Sequence, residues 1–510
     1  MHTRTSLTTV LCLLFPAGLA NAQHDAQQLG EVHFPVSCTE QAQQEIELGV
    51  AQLHHMMYEQ ARPHFEAAAQ SDRRCAMAHW GIAMTSFQPL WHPTSEENLE
   101  RGRAAVQAAR ELGAPTEREQ AHIAAVEAFF TDPAPPADSR AADHEARVIA
   151  WKQALRDLHE DHREDVDAAA FYGLSKIAYA QTQFSPTEEP DYTQQRQTGA
   201  LLLSYLDPHP RHPGLHHYLL HAYDSAELAA GAEEVARAYD DLAPETVHAL
   251  HMPSHIFVRL GQWEETAEFN ERSAAAALRH AEDDPDAIGH YIHALDYAMY
   301  AYLQMEDAEN ARRTLERIHD VEGTWPVFAF AYGLAAPQAR YYLERGDWEG
   351  AARLEPRQPP ATDWDAYPAA EAIFHYARGI GAARTGDLGQ AETERERIDA
   401  AVEALREQGD DYWGYLTQAL GDAVEAWIFY ERGETERALM LMSEAADLEA
   451  SMEKHPITPG EVLPVRELHG DLLLREGRAD EAIAAYEASL ERTPNRRYAE
   501  AGVERARAGR

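Results

Sequence analysis

Residues 470–494 read GDLLLREGRADEAIAAYEASLERTP. Apolar side chains recur every three or four positions on either side of Gly477, so each half is an amphipathic helix and the glycine marks the break. Gly477 supplies a tight turn between two antiparallel helices, and Ala482, five residues on, lets their backbones approach closely. The same punctuation recurs at Gly346/Ala351, Gly386/Ala391 and Gly433/Ala438, with Gly261/Thr266 as a looser copy. No segment shows a convincing strand alternation. Proline-rich breaks at Pro133 to Pro136, Ser185 to Pro190, Pro208 to Pro213 and Pro356 to Pro360 read as loops between helical hairpins.

The residues at fixed places in this unit are Gly470, Gly477, Ala482, Tyr486 and Pro494; an early copy has Ala61, Phe65, Ala68 and Asp72, followed by Trp80-Gly81. They resemble the tetratricopeptide repeat (TPR), a 34-residue helix-turn-helix unit. The resemblance covers most of the chain and implies an all-α fold, an α-solenoid of stacked TPR-like repeats over residues 36–505. A bend is expected near residue 200, where two proline loops cluster. Such repeats serve many roles, so the resemblance implies an architecture and no particular activity.

Met1 to Ser6 carries Arg4 and no acid, Leu7 to Phe15 is a short apolar run, and Ala20-Asn21-Ala22 fits a small-x-small cleavage site. That order predicts a secretory signal peptide over residues 1–22 and an exported protein, periplasmic or extracellular. Residues 23–35 are expected to be a loose, flexible segment. Beyond the leader only Cys38 and Cys75 remain, and an even count in an oxidising compartment favours a disulfide between them. Closing a loop of that size is worth about 3–4 kcal/mol in the chain-entropy view. The net charge of −42 repels phosphate backbones and anionic lipid, so neither nucleic acid binding nor membrane insertion is expected.

Three stretches in the middle set histidines at helical spacing: His217-Tyr-Leu-Leu-His221-Ala-Tyr-Asp224, His248-Ala-Leu-His251-Met-Pro-Ser-His255 and His290-Tyr-Ile-His293-Ala-Leu-Asp296. Offsets of three, four and seven share one helix face. In the TPR pattern the turn glycine is the fifteenth residue, and the second, fifth, ninth and twelfth face the concave groove. With Gly261 as the fifteenth, His248, His251 and His255 are second, fifth and ninth. Neighbouring frames put His217, His221 and Asp224 at fifth, ninth and twelfth, and His293, Asp296 and Tyr300 at second, fifth and ninth.

Imidazoles and carboxylates on adjacent groove-facing helices suit a divalent transition metal such as zinc, copper or iron. Asp224 and Asp296 fit either as ligands or as acceptors that orient a histidine. Pro253 would kink the middle helix. A second candidate, His54-His55-Met56-Met57, is suited to copper or to the core. Histidines also form satisfied polar networks in bundles, and 27 in one chain will cluster by chance. HALHMPSHIFVRLGQW, residues 248–263, resembles a group of exported bacterial TPR proteins with an HMPSHI-type motif. No GxSxG, Walker-type loop, HExxH or Rossmann glycine pattern occurs, so nucleophilic catalysis has no support. Two readings follow. One is a scaffold or binding protein whose groove takes a peptide, protein segment or small ligand. The other is a metal-binding protein or metal-dependent enzyme centred on these histidines and aspartates.

Overall fold

The computed structural model describes residues 28–509 apart from 92, 135–138, 184–190 and 282–285. The leader expected at 1–22 lies outside the described residues, as do 23–27 and the loop Ser185 to Pro190. From Glu40–His54 to Arg497–Ala508 the described residues form helices, with no strand among them, and consecutive helices pack against one another in chain order. The molecule is an all-α solenoid of stacked TPR-like hairpins. None of its described helices is long and apolar enough to cross a membrane.

The turn residues behave as their chemistry requires. Gly261 and Gly477 sit at φ +65° and +72°, the left-handed region that costs a side chain most, and each follows the end of a helix. Gly261 also has no room for a Cβ, which would stand 2.2 Å from the Pro494 carbonyl oxygen. The spacing alanines Ala351, Ala391, Ala438 and Ala482 and the looser Thr266 are all fully buried. Aspartates close many helix starts: Asp347, Asp387 and Asp410 each accept from a backbone N–H three residues on. The Tyr486 ring fills the space that glycine leaves at Gly470, so large and small residues interlock across helices 465–475 and 479–492.

At the N-terminal end the Cys38 and Cys75 sulfurs are 2.09 Å apart, a disulfide. Residues 29–35, read as the end of a loose segment, are tied to the body. Phe34 is fully buried and stacks on Trp80, the Glu31 N–H donates to the Arg211 carbonyl, and the Leu29 carbonyl accepts from His55. Aromatic burial outweighs the polar composition that suggested looseness.

Two large apolar cores run along the chain, one gathering residues 34 to 269 and the other 247 to 506. They meet at the short helices Val247–His251 and Pro253–Leu260, which send Val247 and Leu250 into one core and Ala249, Met252, Ile256 and Phe257 into the other. The solenoid also curls back on itself there. Trp263 donates to the Asn495 carbonyl, and the loop 452–464 lies against the central repeats through Lys454 on Asp224 and Arg340 on Thr458. The chain's own C-terminal region therefore lies against part of the face that carries the histidines.

Candidate metal centre

Pro213 opens the helix Pro213–Ala222, where its missing N–H is no loss, and this helix carries His217 and His221 one turn apart. Pro253 does the same for Pro253–Leu260. Met252 keeps helical angles (φ −54°, ψ −38°) between the two short helices. His251 and His255 consequently still face one another, with their Nε2 atoms 2.9 Å apart. The long helix Ala287–Gln304 supplies His293.

Six imidazoles meet in two adjacent groups of three. His217, His221 and His248 form one, His251, His255 and His293 the other, and within each group the ligand-capable atoms lie within 4.8 Å of one another. The groups touch: ring centroids are 6.2 Å apart for His221 and His255 and 6.3 Å for His248 and His251. In each group two rings are buried and the third, His221 or His293, is half-buried.

Neighbours decide which nitrogen carries the proton in three of the six rings, His217, His251 and His255. The Asn270 amide is oriented by donating from Nδ2 to the Thr266 carbonyl, which leaves its Oδ1 to accept from His251 Nδ1 at 2.7 Å. His255 Nδ1 donates to the Asp224 carboxylate at 2.9 Å, and His217 Nδ1 donates to the His54 carbonyl at 2.6 Å. With Nδ1 protonated, the Nε2 atoms of His251, His255 and His217 carry lone pairs. The Nε2 atoms of His251 and His255 then face each other as two acceptors. The Tyr297 hydroxyl, 3.5 Å from His255 Nε2, directs its one proton at the carbonyls of Pro456 and Thr458, 3.0 and 3.1 Å away. In the first group His217 and His221 stand with Nε2 atoms 3.1 Å apart, and the buried Nε2 of His248 has no hydrogen-bond partner.

A proton is a poor occupant of these gaps. Burial, reinforced by neighbouring imidazoles, holds His217, His248, His251 and His293 well below the usual histidine range and His221 at about 3. Burial also lowers His255, against the pull of Asp224. Neutral imidazoles are the form that binds a metal. Two nitrogens bonded at 2.0–2.1 Å to a tetrahedral ion sit about 3.3 Å apart, close to the separations here.

The two carboxylates read from the sequence lie outside this ring of nitrogens. Asp224 follows the end of its helix and accepts from His255, from Arg259 Nε at 2.9 Å and from Lys454 Nζ at 3.4 Å, so it orients a histidine. Burial would raise its pKa, but Lys454, Arg259 and His255 hold it well below the carboxylate range. Asp296 is engaged by Arg340 of the neighbouring helix Phe328–Leu343 instead of by an imidazole, and burial pushes it up to about 7. Tyr300 turns toward Arg496. Asn270, Arg259, Tyr297 and Lys454 were not read from the sequence. Their contacts join separate helices and loops, up to 230 residues apart for Lys454 and Asp224, and no local pattern marks them.

His54 belongs to a third buried group with Asp167 and His212. There one carboxylate oxygen, Asp167 Oδ1, accepts from His54 Nε2 at 2.9 Å and from His212 Nε2 at 3.2 Å, and Tyr218 Oη bonds the other nitrogen of His54 at 3.1 Å. His55 is hydrogen-bonded to Tyr239 and Leu29, and Met56 and Met57 lie in the core.

No protein-family model matches this chain, and no curated protein matches it. Among solved structures the chain is similar to Cut9 in the APC/C Cut9–Hcn1 hetero-tetramer, at 11% identity over 96% of this chain and 81% of that one, TM-score 0.37. It is similar to yeast Tom70 at 12% identity over 92% and 95%, TM-score 0.37. A third is the P58(IPK) TPR domain, at 11% identity over 92% and 98%, TM-score 0.21. Nothing about function follows from likeness this distant.

Proposed function

We propose that this is an exported metal-binding protein whose centre is the six-imidazole cluster His217, His221, His248, His251, His255 and His293. The observation that carries this reading is the pair of acceptor nitrogens on His251 and His255, 2.9 Å apart with their outer nitrogens already donating elsewhere. Such a pair is repulsive when empty and favourable around a cation. Asp224 and Asn270 act from outside, fixing the rings so that Nε2 points inward. The solenoid supplies rigid helices that hold the rings in place.

The peptide-groove reading finds its support elsewhere in the molecule, because residues 452–464 occupy part of the face at the histidines. An open cleft of about 710 Å³ between the later repeats is lined by Trp348 and Tyr498 and by arginines interspersed with Glu306, Asp307, Glu344 and Asp471, a mixed aromatic and charged wall of the kind a peptide segment would use.

Elemental analysis of the chain purified without an affinity tag tests the metal reading. Stoichiometric transition metal is expected, and a His221→Ala/His251→Ala double variant should lose it while keeping its circular dichroism spectrum. A wild-type chain that takes up no metal on reconstitution, or a double variant that still does, would overturn it.

A further inference from the structure

The charge inventory of the centre narrows which ion it holds. All six prospective ligands are neutral imidazoles, with no carboxylate or thiolate among them. The carboxylate of Asp224 is compensated by Arg259, at 2.9 Å, and Lys454, at 3.4 Å. These three side chains are buried, 4% to 6% exposed, and Glu453 stands 3.2 Å from Arg259, so the formal charges of the four groups sum to zero. The protein thus places a ring of uncharged donors in surroundings with no net negative charge.

The cost of burying an ion grows as the square of its charge, and the repulsion between two ions grows as the product of theirs. A divalent ion therefore costs about four times what a monovalent ion of similar size costs here, and a pair of divalent ions repel each other about four times as strongly. Structural zinc and iron sites commonly offset this with thiolates or carboxylates, which these ligands do not include, and zinc on three imidazoles takes a water or hydroxide to complete its shell. Of the transition metals that suit imidazole, copper is the one with a common monovalent state, and Cu(I) accepts three-coordinate ligation.

We infer that the centre, on the reading that it binds metal, holds two Cu(I) ions side by side: one on His217, His221 and His248, the other on His251, His255 and His293. The same electrostatics resist oxidation, since each electron lost adds a positive charge to a buried site none of whose ligands is an anion, while Asp224 is already met by Arg259 and Lys454. That suits a protein that stores or delivers monovalent copper. The half-buried rings His221 and His293, one in each group, give the ions their way in and out.

The test is an anaerobic titration of the mature, tag-free chain with Cu(I) against a colorimetric Cu(I) chelator, and in parallel with Zn(II) against a zinc indicator. Two Cu(I) per chain are expected, bound at least about tenfold more tightly than Zn(II), and after exposure to air the X-ray absorption edge of the loaded protein should remain that of Cu(I). His248→Gln, in the first group, should lower the stoichiometry to one, and so should His293→Gln in the second, each with helicity unchanged; two variants guard against one failing to fold. Tighter binding of zinc, one copper per chain in the wild type, or rapid appearance of Cu(II) would overturn the Cu(I)-pair inference and leave the metal reading intact. Failure to bind copper or zinc at all would overturn both.

Discussion

His54, Asp167 and His212 form one buried trio, and His251, His255 and His293 form another. The first joins distant parts of the chain and is wholly buried; the second joins neighbouring repeats and is buried but for the half-buried His293. In the first, a carboxylate stands between two ring N–H groups and accepts from both, and a tyrosine hydroxyl bonds the other nitrogen of His54. In the second, Asn270 and Asp224 take the ring protons away to the outside and leave lone pairs facing inward. Burial and clustering are common to the two, so neither distinguishes a binding site from a structural network. The direction of the protons does.

The largest effect expected from breaking this contrast is on the closed trio. Asp167→Ala strips two buried imidazoles of their shared acceptor and should lower the unfolding free energy by about 3–5 kcal/mol in urea titrations, with metal stoichiometry unchanged. A loss of metal on this substitution would mean the two trios are one functional unit.

Acid should expose the same trio. Burial lowers His54 from 6.5 to about 4, more than the Asp167 hydrogen bond raises it. The unfolded chain therefore takes up this proton first as pH falls, and the stability that depends on a neutral His54 is complete above 6.5 and lost by about 4. For this residue the loss is about 3 kcal/mol. Measured between pH 6.5 and 4, wild type should lose more stability than His54→Gln; equal slopes would show that His54 is not neutral in the folded protein.

On the open side the expected effect is in ligand affinity. Asn270→Ala frees the His251 ring to choose its tautomer and should weaken metal binding about 10- to 100-fold, read by chelator competition. An unchanged affinity would show that Asn270 does not set the lone pair. The smallest effect is general. With a net charge of −42, screening by salt should raise the melting temperature between dilute and molar buffer, and a flat trend would mean that the surface ion pairs already compensate the acids.

The repeat architecture was legible in the sequence because it rests on local chemistry. Gly261, Gly346, Gly386, Gly433 and Gly477 all have positive φ, and the spacing alanines are buried, since both properties follow from neighbours within a hairpin. The pairing of Cys38 with Cys75 follows from a count of two and from sitting at opposite ends of one hairpin. The histidine faces were legible for the same reason: offsets of three and four place side chains on one side of a helix wherever that helix goes.

What the sequence by itself determined, then, is the kind of fold and which histidines lie on common faces. The tertiary structure alone decided what those faces meet. It withdrew Asp296 into a pair with Arg340, brought Lys454 onto Asp224, laid residues 452–464 against part of the inner face, and chose the protonated nitrogen of His251 through Asn270. Each of these joins side chains that local periodicity does not connect, and a hydrogen bond or ion pair in a buried place is selected by the donor or acceptor that arrives there, whatever its distance along the chain.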